Sequence, residues 1–185
     1  MISKTNMMDD IEQVLISEED LHARIKEMGA KISDDYRGKT PILVGILKGV
    51  VPFYAAMAQA VQIPIEEDFM CVSSYSGTQS TGSIRYRKDL DIDIEGRDVL
   101  ILEDILDSGR TLKAVKENLL LRNPASLKIC TLLDKPEGRV VELEADYVCF
   151  TIPDAFVVGF GLDYDEHYRN LPFVGVVKPC VYQDQ

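Results

Sequence analysis

Apolar runs of strand length alternate along this chain with segments of helical period, and that alternation leaves few folds open. Pro41–Leu47, Val99–Leu102 and Leu127–Leu133 are apolar at nearly every position, as strands buried on both faces must be. Asp68–Ser74, Ile84–Tyr86 and Tyr147–Thr151 are further strand candidates. Between them lie helical patterns. One opens at Ser17, a capping residue, and carries Leu21, Ile25, Met28 and Ile32 on one face for roughly five turns, to about Tyr36-Arg37-Gly38. Others run from Val50 to Val61 and through Leu112, Val115 and Leu119. Such alternation predicts an α/β fold: a mostly parallel central sheet flanked by helices. With 185 residues the chain fits one such domain, without repeat or linker.

Composition narrows the function classes. A net charge of −11 and a pI near 4.6 argue against nucleic acid or an anionic membrane as partner, because phosphate backbones attract Lys/Arg clusters. Any phosphate ligand must therefore meet local cations or a metal. Cys71, Cys130, Cys149 and Cys180 show neither a C-x-x-C pair nor His at ligand spacing, so they read as core thiols of a reducing compartment. The N-terminal residues lack a signal-like apolar core and no apolar stretch reaches membrane-spanning length, which predicts a soluble, cytoplasmic protein.

The chemistry concentrates in Val99–Leu112. Four aliphatics lead into Glu103 and Asp104, and Asp107-Ser108-Gly109-Arg110-Thr111 then turns into a helical pattern. Amides at that helix start, with the Ser108 and Thr111 hydroxyls and a glycine for the tight turn, suit a phosphate. Acids beside a phosphate would repel it unless they hold sugar hydroxyls, a divalent cation or a proton in transit. Lys48 and Gly49 lie at another strand's carboxyl end, where open α/β sheets bind ligands; alone, Lys48 reads sooner as a solvated turn lysine. Residues 73–82 are small, polar and without anchors, either a connector or a lid. Phe156, in an apolar run, reads on its own as core.

Taken together, Glu103–Leu112 resembles the phosphoribosyl pyrophosphate (PRPP) loop of type I phosphoribosyltransferases. Matches extend from about Asp10 to Pro179, and within that family the chain resembles the hypoxanthine-guanine branch. The resemblance implies a parallel core over roughly residues 38–150, and a small hood over the active site built from N-terminal residues and roughly 151–185. It implies transfer of ribose 5-phosphate from PRPP to N9 of hypoxanthine or guanine, giving IMP or GMP and pyrophosphate, with Mg²⁺ as cofactor. Asp107, Ser108, Gly109, Arg110 and Thr111 would hold the 5′-phosphate, and Asp107 would be the general base at the purine N7. Glu103 and Asp104 would hold ribose hydroxyls directly or through Mg²⁺, with Asp163 beside a second Mg²⁺ and the base. Lys48, Gly49 and Arg169 would contact pyrophosphate, with a cis peptide between Leu47 and Lys48. Ser74 and Tyr75 would sit on a mobile lid, although Ser76 stands where that branch often has Gly. Phe156 would stack on the base and the Val157 backbone would read its edge. Lys135 can donate but not accept, so it would favour a 6-oxo base over a 6-amino one.

The resemblance further implies a homodimer or homotetramer. A PRPP-binding RNA or DNA regulator on the same fold would need a basic face, which a chain this acidic does not show. Among purines, Lys135 disfavours adenine, while the choice between hypoxanthine, guanine and xanthine turns on detail near Val157 and Asp163.

Overall fold

In the computed structural model, which describes residues 6–74 and 84–182, the apolar runs assemble into one six-stranded sheet and a separate three-stranded one. The strands are β1 (Ile11–Ile16), β2 (Ile42–Leu47), β3 (Glu66–Ser74), β4 (Ile84–Lys88), β5 (Asp98–Leu106), β6 (Ser126–Asp134), β7 (Tyr147–Thr151), β8 (Val157–Val158) and β9 (Val174–Val177). The helices are α1 (Glu18–Asp35), α2 (Val51–Ala60) and α3 (Arg110–Leu120), with a last helical turn at Pro179–Tyr182.

The large sheet has the order β4-β3-β2-β5-β6-β7, parallel except for β4 at its edge. Side chains alternate across it. Ile42, Val44 and Ile46 of β2 pack with Leu112, Val115 and Leu119 of α3 on one face. Leu43 joins Leu21, Ile25, Phe53 and Met57 of α1 and α2 on the other. Gly29 lets those two helices touch, since a methyl there would lie 2.6 Å from the Ala60 Cβ. Arg24 of α1 reaches edge strand β7, donating from Nε to the Cys149 carbonyl (2.9 Å) and from Nη2 to that of Val148 (3.2 Å).

The chain leaves β2 for β3 on one side and β5 for β6 on the other. The carboxyl ends of β2 and β5 are therefore neighbours at a topological switch point, where a crevice opens in folds of this kind. This places Lys48 and Gly49 beside the Glu103–Thr111 segment.

The small sheet, β1-β9-β8, is antiparallel and joins the two ends of the described chain, with Ile11 opposite Val177 and Ile16 opposite Val174. Its core holds Ile11, Val158, Tyr168, Leu171, Val177 and Val181. The Tyr168 hydroxyl donates to the buried Asp10 carboxylate at 2.6 Å, tying the segment after β8 to the N-terminal strand.

The structure extends the sequence reading in two places. The runs that become β1, β8 and β9 are short and carry no clear period, so the small sheet rested on resemblance alone. β5 does not stop at Leu102 but pairs with β6 as far as Leu106 opposite Asp134, because ladder hydrogen bonds continue beneath Glu103 and Asp104. The thiols also differ from expectation. Cys130 and Cys149 are buried on neighbouring strands, Cys71 is half-buried, and Cys180 is exposed at the last helical turn. No helix among the described residues is long and apolar enough to cross a membrane.

Candidate active site

The end of β5 builds the turn. Gly109 takes a left-handed backbone (φ +77°), which glycine adopts without steric cost and which lets the chain reverse into α3. Carbonyls of the turn are taken up on one side: Arg139 Nη1 donates to those of Leu106 (2.8 Å) and Asp107 (2.6 Å), and the Val140 amide to that of Ser108 (3.1 Å). Arg139 is itself held by Asp134 at the end of β6. The amides at the start of α3 have no intrahelical acceptor, no side chain among the described residues caps them, and the first turn holds no acid. A pocket of about 150 Å³ lies here, lined by Glu103, Asp107, Ser108, Gly109 and Thr111 among others. Arg110, by contrast, is exposed. An anion of phosphate size is what such an uncapped helix start accommodates.

Glu103 and Asp104 lie on the β2 side of this turn. Glu103 Oε2 is buried and finds no hydrogen-bond partner among the described residues. Burial, with the Asp104 charge beside it, pushes the Glu103 carboxyl well above the usual range. Burial likewise raises Asp104 to about 6, against the lowering pull of the Ile105 amide and Arg169. Asp104 Oδ1 accepts from the Ile105 amide (2.8 Å), and Oδ2 rests against Gly49, where any Cβ would collide with it. Two buried carboxylates so short of positive charge would gain from a cation.

The resemblance implies Glu103 and Asp104 at ribose hydroxyls, directly or through Mg²⁺, and Asp163 beside a second Mg²⁺. Among the described residues no group of three or more His, Cys, Asp or Glu side chains is gathered closely enough to hold a metal ion by itself. Asp163 is engaged within its own segment. Its Oδ1 pairs with Arg169 Nη2 (2.9 Å) and its Oδ2 accepts from the Glu166 amide (2.9 Å).

Lys135, at the end of β6, reaches back to the turn. Its Nζ lies 3.2 Å from Asp107 Oδ2 and 2.9 Å from Asp154 Oδ1, with only 11% of the side chain exposed. Burial alone would lower its pKa, but the hydrogen bonds to Asp154 and Asp107 outweigh it and keep the ammonium charged beyond the ordinary range. Phe156, two residues after Asp154, is 38% exposed and not core; its ring stacks on Tyr182 with centroids 4.8 Å apart. Val157 is buried in β8, paired with Val176.

The segment after β8 docks on the β2 turn. Gly161 packs so tightly against the Gly49 carbonyl that no Cβ would fit, and Arg169 Nη1 donates to the Gly161 carbonyl at 2.8 Å. Lys48 and Arg169, expected at a common ligand, do converge, but on Glu166 Oε2, at 2.8 and 3.4 Å. The Leu47–Lys48 peptide is cis, as the resemblance implied. Ser74 ends β3 with its side chain outside the described residues, and Tyr75 lies outside them altogether. His22 and His167 are exposed.

Sequence reasoning missed Arg139, Asp154 and Glu166. Each acts through a partner distant in sequence or across a turn, so no local period announces it. The Arg139 signal was its place directly after the Lys-Pro turn.

The model of the phosphoribosyl transferase domain matches residues 17–165. A hypoxanthine-guanine phosphoribosyltransferase of Streptococcus agalactiae is 55% identical over 175 residues, covering 94% of this chain and 97% of the relative. Among solved structures, a hypoxanthine phosphoribosyltransferase from Staphylococcus aureus superposes with a TM-score of 0.92 at 49% identity, over 97% of this chain and 99% of that one. A hypoxanthine-guanine phosphoribosyltransferase from Bacillus anthracis, with a HEPES molecule in its active site, gives 0.87 at 44% identity over 91% and 99%. Such identity across nearly the whole length, on a sheet that places an uncapped anion turn at its switch point, makes this chain a member of the phosphoribosyltransferase family.

Proposed function

We propose that this chain transfers the 5-phosphoribosyl group of PRPP to N9 of hypoxanthine or guanine, giving IMP or GMP and pyrophosphate. The observation that carries this reading is Lys135 Nζ, held between Asp107 and Asp154 beside the uncapped turn. A charged pure donor adjoining a candidate base suits a purine that offers O6 as acceptor and N7–H as acid. A 6-amino purine would oppose donor to donor there. The similar proteins named above carry the same substrate class in their names.

Magnesium suits the donor set, because Mg²⁺ takes one or two carboxylates and completes its shell with phosphate oxygens and water. Glu103, with its unpartnered buried oxygen, and Asp104 would hold it, and when bound it neutralises charge on the departing diphosphate. The 107–111 turn fixes the 5′-phosphate through its amides and hydroxyls. Lys48 and Arg169 take the diphosphate, so negative charge builds up against two cations as the ribosyl carbon becomes electron-poor. Asp107 accepts the N7 proton while Lys135 donates to O6. Phe156 covers the base, and the three-stranded sheet, with Arg169 in the segment between β8 and β9, serves as the hood that excludes water.

The test is incubation of the protein with PRPP, Mg²⁺ and, separately, hypoxanthine, guanine, xanthine and adenine, following nucleotide and pyrophosphate. Product is expected with hypoxanthine and guanine. Absence of product with every 6-oxopurine overturns the reading.

A further inference from the structure

Glu166 has no part in the scheme above, yet its carboxylate lies between the two cations assigned to the diphosphate. Oε2 is 2.8 Å from Lys48 Nζ and 3.4 Å from Arg169 Nη2. The backbone is shaped to put it there. Asp165 and Glu166 both adopt positive φ, +51° and +64°, a region that L-residues rarely occupy, and Asp163 Oδ2 holds the Glu166 amide at 2.9 Å. Both members of the Lys48–Glu166 pair are 62% exposed, and exposed ion pairs add little stability, so a structural role accounts poorly for a strained turn.

We propose that Glu166 is a built-in counter-anion of the diphosphate subsite, competing with PRPP and pyrophosphate for Lys48 and Arg169. This rests on the reading of those two residues as diphosphate ligands. An anion entering between them must displace the carboxylate, so Glu166 weakens ground-state binding of diphosphate groups and hastens departure of the product. Where release limits turnover, such weakening raises the rate.

The experiment measures product inhibition by inorganic pyrophosphate, KM for PRPP and KM for the purine, at fixed Mg²⁺, in the wild-type protein, Glu166→Gln, Glu166→Ala and Lys48→Ala. Both Glu166 variants are expected to bind pyrophosphate roughly three- to tenfold more tightly, the scale of one or two exposed ion pairs, with a parallel fall in PRPP KM. The purine KM stays unchanged. A purely structural Glu166 would weaken pyrophosphate binding on substitution, and that result, or no change, overturns the inference if Lys48→Ala still weakens binding. If Lys48→Ala leaves pyrophosphate binding untouched, the diphosphate reading itself falls and the inference falls with it.

Discussion

Two helices of this protein begin in opposite ways. At α1, Ser17 Oγ accepts from the Asp20 amide (3.1 Å) and donates to the Asp20 carboxylate (2.9 Å), and Glu18, Glu19 and Asp20 supply negative charge to the first turn. At α3 there is a left-handed glycine, no capping side chain and no acid. Both ends obey the same physics, since the first amides of any helix need acceptors and its dipole favours an anion. α1 meets the need from its own sequence, which stabilises the fold. α3 leaves it open and rigidly oriented, because Arg139 and Val140 hold the carbonyls of the turn. Asp68 shows a third solution: its buried carboxylate accepts from the amides of Phe69 (2.7 Å), Asp91 (2.7 Å) and Ile92 (2.9 Å), an internal anion that pins the loop after β4.

The contrast breaks most visibly at the carboxylates. Asp107→Asn, in the open turn, is expected to lower kcat by about 10²–10⁴, the range for loss of a general base, with KM for PRPP little changed. Asp20→Asn, in the closed turn, should leave kcat intact; steady-state kinetics on both variants checks the pair. Thr111→Glu would give α3 the acid that α1 already has. Its expected result is a loss of roughly a hundredfold or more in kcat/KM for PRPP, from like charge facing the 5′-phosphate, with a melting temperature that holds or rises. Undiminished PRPP use by this variant would erase the distinction between the two ends.

Asp68 sharpens the comparison through pH. Burial alone would raise its carboxyl, but the amides of Ile92 and Phe69, the Lys88 ammonium and the Asp91 amide hold it below the ordinary value of 3.8. A depressed folded-state pKa stabilises above the unfolded value and loses that contribution as pH falls through the folded one. Asp68→Asn is therefore expected to cost about 2 kcal/mol at neutral pH and to flatten the acid limb of stability below about pH 5, as read by urea unfolding across pH. The smallest effect belongs to Ser17→Ala. Loss of that cap should cost about 1 kcal/mol, lowering the melting temperature by about 2–4 °C without altering kcat.

Much of this was legible locally. β2, β5 and β6 are apolar on both faces and announce themselves as central parallel strands, and the turn at 107–111 follows from glycine and hydroxyls before a helical period. What escaped depends on partners far along the chain. β1 becomes a strand by pairing with β9, more than 150 residues later, and nothing in Ile11–Ile16 names that partner. Glu103 and Asp104 ended the predicted strand because charge interrupts the apolar run, while the backbone ladder is indifferent to what the side chains carry. Arg139 and Glu166 act through contacts made only after the turns have formed, and Asp68 reads as an ordinary strand acid until three amides are seen to surround it.

The pairing of β1 with β9 bears on how the protein comes into being on the ribosome. A nascent chain that has emerged only as far as β7 already has every strand of the large sheet, with Lys48, Glu103, Asp107 and Lys135 in place. β1, the first strand made, must wait for β9, the last of the described strands, before it is paired, and Arg169 arrives in the same late stretch. Chains are made vectorially and fold as they emerge, so the two halves of the site mature at different times. A chain cut after β7 would hold every strand of the large sheet but lack both Arg169 and the strand that pairs with β1.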